Sequence, residues 1–192
     1  DIIGDEAELY REIEQRCIYI ADLFSYKEIR TPIIEHTPLF LRSVGESSDI
    51  VNKEMYTFDD KGGRSITLRP ELTAGVMRSI VSNKLYANAD LPVKYCYVGP
   101  CFRYERPQAG RYRQFNQFGV EAVGAPSAYQ DAEVISIGYH LLNSLGLTNV
   151  KVLINSLGDE ESRTAYKAAL KEYFSKHIDK MCPDYQRRLE TN

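Results

Sequence analysis

The stretch that most constrains this chain is residues 101–121, CFRYERPQAGRYRQFNQFGVE. Two strand-like runs flank a Pro-Gln-Ala-Gly break, and side chains along a strand alternate between faces. On the first run Cys101, Arg103 and Glu105 share one face, and Phe102 and Tyr104 the other. On the second, Phe115, Gln117, Gly119 and Glu121 share one face, and Phe118 and Val120 the other. The pattern predicts a hairpin with an apolar face for the core. Its other face carries an arginine, two carboxylates, an amide, an aromatic plate and a glycine. A solvated face favours Lys, Glu, Thr and Ser. Phe and Gly beside Arg and Glu suit a ligand instead, with the glycine letting it approach the backbone closely. In the connecting loop Arg106, Arg111 and Arg113 can grip phosphate oxygens bidentately. The plain alternative is an amphipathic hairpin with one face in water.

The elements around this hairpin follow from periodicity. Leu9, Ile13, Cys17, Ile20 and Phe24 recur at spacings of three and four, which predicts a helix from about Asp5 to Phe24. Asp5 followed by Glu8 fits a capping box. Residues 28–34 read as a strand carrying Pro32. Proline donates nothing to a ladder, so that strand belongs at an edge or an interface. Thr37-Pro38 opens a short helix that ends at Gly45. EMYTFDDKGGRSITLRPE reads as a hairpin around an Asp-Asp-Lys-Gly-Gly turn. ELTAGVMRSIVSN reads as a helix and PVKYCYVG as a strand leading into the opening stretch. Residues 128–145 form a helix with Val134, Ile137 and Leu141 in register. NVKVLIN reads as a short central strand, and residues 159–176 as an amphipathic helix carrying Ala165, Ala169 and Tyr173. Helices and hairpins alternate without the βαβ rhythm of a parallel sheet. The expected fold class is therefore α+β, an antiparallel sheet flanked by helices.

Composition excludes some functions. The chain has 192 residues, 43% hydrophobic and 27% charged, which is ordinary for a globular protein. A net charge of −3 argues against a general basic coat for nucleic acid and leaves room for a local basic patch. Cys17, Cys96, Cys101 and Cys182 form no C-x-x-C, and His36, His140 and His177 are scattered. No metal site is expected from them, and reduced thiols in a cytoplasmic protein are the simplest reading. No run approaches the ~20 apolar residues that cross a bilayer, so no membrane partner is expected. The chain lacks a starting Met and stops at RRLETN without a helix stop signal, so a piece of a longer protein is expected.

Three segments, in order, carry a resemblance. FRYE, an arginine-rich loop and RQFNQFGVE resemble the second signature motif of class II aminoacyl-tRNA synthetases, in a wording most similar to the histidyl-tRNA synthetases. RTPIIEHTPLF resembles the first motif, whose proline lies at a dimer interface. TLRPELTAGVMR resembles the amino-acid-binding segment, and DAEVI and NSLG also match. The resemblance covers essentially the whole chain. It implies the first part of a class II catalytic domain over residues 1–192, with motifs one and two present. The third motif, the Leu-x-Arg-Gly-Leu-x-Tyr-Tyr segment and the anticodon-binding domain do not occur before Asn192.

The resemblance also implies roles. Arg103 would be catalytic, holding the α-phosphate of ATP and the histidine carboxylate. Phe115 would stack on adenine and Glu105 would accept from its amino group. Arg111 and Arg113 would meet the outer phosphates or the tRNA end. Glu71, Thr73 and Gln117 would hold the α-amino end of histidine, and Glu121 would face its imidazole. Arg106 and Gln108 would contact the acceptor end of tRNA(His), and Pro32 would lie in a homodimer interface. ATP would be a substrate with Mg2+, whose ligands this sequence does not assign. This chain alone would have no appreciable activity. One alternative is the synthetase-like regulatory subunit of ATP phosphoribosyltransferase in histidine biosynthesis. Two others are a class II synthetase for another amino acid and an interaction module.

Overall fold

The opening stretch does form a hairpin, and its strands set the frame. In this computed structural model, which describes residues 1–44, 54–87, 90–106, 108–156, 158–182, 185–186 and 189, ten residue pairs run from Val93↔Val123 to Phe102↔Gln114. The elements in chain order are α1 (Asp5–Leu23), β1 (Lys27–Glu28), β2 (Ile34–His36), α2 (Thr37–Val44), β3 (Tyr56–Asp59), β4 (Ser65–Leu68), α3 (Thr73–Ser82), β5 (Val93–Phe102), β6 (Gln114–Val123), α4 (Ala128–Ser144) and α5 (Glu160–Ser175). Gly45, the expected end of α2, lies outside the described residues.

One three-stranded sheet has the order β1-β5-β6 and a second the order β2-β4-β3. The second is antiparallel throughout. The first is mixed, because β1 runs parallel to β5 through Lys27↔Tyr95 and Glu28↔Cys96. The expected antiparallel pairing holds for β5–β6 and for the whole second sheet, and β1 adds one short parallel edge to the first. The chain reverses after α1 through Ser25, at φ 66°, and lays two residues alongside β5. Two residues are too few to show a period in sequence.

Helices cover both faces of the β5–β6 ladder. On one side α1 and α4 supply Cys17, Ile20, Ala21, Ile137 and Leu141, which pack with Cys96, Phe118 and Val120. On the other, Leu72, Val76 and Ile80 of α3 and its lead-in pack against Val93, Tyr97 and Cys101. A fully buried aliphatic side chain contributes roughly 1.5–3 kcal/mol. β5 is therefore the buried central strand, β6 is half-buried beside it, and neither face of the ladder is simply solvated. Glu133 of α4 is tied to β5 by the Lys94 ammonium at 2.8 Å, and also accepts from the Tyr26 hydroxyl at 3.0 Å and from Gln130 of its own helix at 2.8 Å.

Several local expectations change. Gly4, at φ 60°, precedes α1, and no side chain caps it, so the Asp5–Glu8 capping box does not form. Both acids lie in the first turn, where the helix dipole favours them. Pro32 lies between β1 and β2 and belongs to neither, because the residues either side of it pair with different sheets. β5 stops at Phe102, so Arg103, Tyr104 and Glu105 do not alternate as strand residues. Tyr104 is accordingly exposed rather than in the core. Residues 151–156 have no ladder partner among the described residues, against the expected central strand, and Leu153 and Ile154 are about 80% exposed.

Residues 1–150 and 151–192 form two compact units. In the second, Asp159 caps α5 by accepting from the Ser162 amide at 2.7 Å, and α5 buries no residue.

Candidate active site

The ladder register puts four β6 side chains in a row. Phe115 faces Cys101, Gln117 faces Gly99, Gly119 faces Tyr97 and Glu121 faces Tyr95. The N-terminal end of α3 meets this row. The Leu72 amide donates to Gln117 Oε1 at 3.1 Å, and the buried Cys101 thiol lies 3.6 Å from the same oxygen. Burial pushes that thiol up to about 11, so it stays protonated and donates. Glu71 Oε1 accepts from the Ala74 amide at 3.0 Å, which caps α3 and fixes the carboxylate at the site's edge. Tyr97 donates to Glu121 Oε1 at 3.0 Å, and its hydroxyl lies 3.3 Å from Thr73 Oγ1.

Arg103 follows β5 directly. Its Nε donates to the Pro70 carbonyl at 2.9 Å, and its guanidinium lies 5.1 Å from the centre of the Phe115 ring. Cation and aromatic plate are thus held together beside Glu71. The Arg103 amide donates to the Arg113 carbonyl at 2.9 Å, closing the base of the loop. There Arg111 pairs with Glu105 at 3.4 Å, and Arg113 lies 4.2 Å over the Tyr104 ring. Arg106 and Gln108 are exposed farther out, where Gln108 and Arg111 form an isolated bridge.

Glu71, Thr73, Arg103, Phe115, Gln117 and Glu121 are therefore brought together along one strip between β6 and the start of α3. Glu105, Arg106, Gln108, Arg111 and Arg113 form a charged loop beside it. Pro32 is not part of the strip, and lies exposed where the chain passes between the two sheets.

The histidyl-tRNA synthetase family model matches residues 1–160. The chain belongs to the histidyl-tRNA synthetase family. It is 54% identical over all 192 residues to the histidine–tRNA ligase of Geobacillus thermodenitrificans and equally to that of Bacillus subtilis. It spans 45% of the length of each, so it covers a little under half of these curated relatives. Among solved structures, the apo histidyl-tRNA synthetase of S. aureus is 46% identical with a TM-score of 0.78, covering all of this chain and 45% of the other. A Bacillus halodurans structure described as an ATP phosphoribosyltransferase regulatory subunit/histidyl-tRNA synthetase is 24% identical with a TM-score of 0.70. It covers 98% of this chain and 52% of the other, and shows the shared fold. One mixed and one antiparallel sheet with flanking helices match the class II synthetase catalytic-domain arrangement.

Against that family background, two residues stand out that the sequence reading left unassigned. Arg69 is 6% exposed, donating from Nε to the Pro100 carbonyl and from Nη1 to the Thr31 carbonyl, each at 2.8 Å. Burial lowers its pKa. The position lies inside TLRPELTAGVMR, and an arginine there between apolar neighbours was the available signal. Tyr97 is the other. On sequence alone, the space at Gly119 is open to a ligand. The Tyr97 phenol fills it instead, and a Cβ at Gly119 would overlap that ring.

Proposed function

We propose that this chain supplies the amino-acid and ATP-binding half of a histidine–tRNA ligase. The observation that carries the reading is the row Phe115, Gln117 and Glu121 joined to Arg103 and Thr73 around one strip, in a chain of this family. The reaction activates histidine. A carboxylate oxygen attacks the α-phosphorus of ATP, the bond to the β-phosphate breaks, and pyrophosphate leaves. The adenylate then passes histidine to tRNA(His).

Charge grows on the α-phosphoryl oxygens as the attacking bond forms. Arg103, already anchored through Nε, would hold its remaining N–H groups toward those oxygens and the carboxylate. A preorganised donor stabilises the transition state without reorganising. Phe115 would stack on adenine, and Glu105 would accept from its amino group. Arg111 and Arg113 would meet the outer phosphates, and Arg106 and Gln108 the acceptor end of tRNA. Glu71, Thr73 and Gln117 would hold the α-amino end of histidine, and Glu121 its imidazole N–H. Among the described residues no group of three or more His, Cys, Asp or Glu is placed to hold a metal. Mg2+ would accompany the ATP phosphates and neutralise part of their charge.

A homodimer through the Pro32 segment is part of the proposal. Support comes from a groove of about 930 Å3 beside it, lined by Tyr19, Arg30 and Ile33 among others, with Tyr19 and Ile33 exposed. A cytoplasmic setting is also proposed. No helix among the described residues is long and apolar enough to cross a membrane.

The test is amino-acid-dependent ATP–pyrophosphate exchange by the full-length gene product, with residues 1–192 run alongside. Exchange with histidine alone supports the reading, and little or none is expected from residues 1–192. Histidine binding without exchange in the full-length protein would instead indicate a regulatory subunit.

A further inference from the structure

Tyr97 belongs to no role described so far, yet it sits where the two ends of the amino-acid pocket meet. Its ring is 4% exposed, among Leu72, Val76 and Ile80 on one side and over Gly119 on the other. A phenylalanine would fill this space equally well. A buried hydroxyl is costly unless it is hydrogen-bonded, and this one has two partners on two different elements. Glu121 Oε1 lies on β6 at 3.0 Å, and Thr73 Oγ1 opens α3 at 3.3 Å.

We propose that Tyr97 is a specificity-positioning residue that locks the imidazole-facing carboxylate of Glu121 and the amino-facing hydroxyl of Thr73 into one connected arrangement. The inference rests on the histidine reading above.

The polarity of the chain follows from what each group can do. A carboxylate only accepts, so the Tyr97 proton points at Glu121. The Tyr97 oxygen then accepts from the Thr73 hydroxyl. Thr73, with its proton committed, presents only lone pairs to the pocket, the right polarity for an ammonium donor. Glu121 has one oxygen held by Tyr97 and offers the other to a ring N–H. Burial, with the charges of Glu121 and Glu71, keeps the phenol well above its ordinary pKa, so it remains a donor. Cross-strand pairing with Gly119 fixes the ring, because only a residue without a side chain leaves room for it.

The experiment is Tyr97→Phe in the full-length protein, assayed by ATP–pyrophosphate exchange. The ring and its packing survive this change, and circular dichroism with an unchanged KM for ATP verifies a folded enzyme. The KM for histidine is expected to rise about tenfold, the effect of losing one hydrogen bond to a charged group. Preference for histidine over 3-(2-thiazolyl)alanine, whose ring has no N–H, is expected to fall by a similar factor. A purely structural role would leave that preference unchanged. Unchanged histidine KM and unchanged preference, or equal rises in both KM values, would overturn the proposal and leave the histidine reading intact. Wild-type enzyme without histidine-dependent exchange would overturn both.

Discussion

Replacing Arg69 by methionine removes two short hydrogen bonds from a charged donor, to the Pro100 and Thr31 carbonyls at 2.8 Å each, and a long one to Thr31 Oγ1 at 3.5 Å. Short bonds of this kind are worth roughly 1.5–3 kcal/mol apiece, so the gross loss is about 3–6 kcal/mol. Some of it returns, because a guanidinium buried to this degree carries a desolvation cost that methionine does not. The net destabilisation should be about 3 kcal/mol. The backbone bonds of residue 69, from its amide to Ile33 and from Phe102 to its carbonyl, do not depend on the side chain. The loss is thus attributable to the guanidinium. In urea unfolding followed by circular dichroism, a slope of about 2 kcal/mol/M puts the midpoint about 1.5 M lower. Lysine, a single-point donor, should recover about half. A methionine variant within about 0.5 kcal/mol of wild type, the range of an ordinary surface change, would refute the claim that this arginine ties the Pro32 segment to β5.

Three further tests follow from described geometry. Arg103→Gln in the full-length protein should lower the histidine-dependent exchange rate about 10²–10³-fold, the size of one lost transition-state donor, while the unfolding midpoint moves little. Burial pushes the thiols of Cys17, Cys96 and Cys101 up to about 11, and Cys182 is exposed. A disulfide reagent at pH 8 should therefore label one thiol per native chain quickly and all four only after denaturation; fast labelling of two or more would contradict the described packing. For Glu133, burial opposes ionisation, but hydrogen bonds from Lys94, Gln130 and Tyr26 outweigh it and lower the pKa. A lowered folded value means stabilisation that is fully present above the unfolded value of about 4.3 and lost as pH falls through the folded one. Urea midpoints between about pH 5 and 3 should drop more steeply for wild type than for Glu133→Gln, and parallel curves would contradict the network.

The helices and the long hairpin were readable because their signals are local. The α1 stripe marks a buried face from Cys17 and Ile20 onward, while its first members, Leu9 and Ile13, are exposed, and the α4 stripe marks one at Ile137 and Leu141. The β3–β4 turn announced itself through Asp60, whose Oδ1 accepts from the Gly62 and Arg64 amides. Positions that depend on a distant partner were not readable. Pro32 looked like an edge-strand residue, but the neighbouring segments join different sheets. Arg103 looked like a strand residue, but β5 ends at Phe102 and the side chain turns back to the Pro70 carbonyl. The shared face of Phe115, Gln117, Gly119 and Glu121 on β6 was legible from its two-residue period. Its supports were not, because Arg69 and Tyr97 act across elements, and a single sequence shows one side of each contact.

The phenol lying over Gly119 also sets terms for which substitutions this chain accepts at the two positions. Residue 119 has no freedom of its own while residue 97 carries a large ring, because any side chain there meets that ring. A smaller residue at 97 would release 119, but at the cost of the hydrogen bond to Glu121. Substitutions at the two positions are therefore non-additive. A side chain at 119 is accommodated only once the ring at 97 has gone, so the two positions act as one unit of packing.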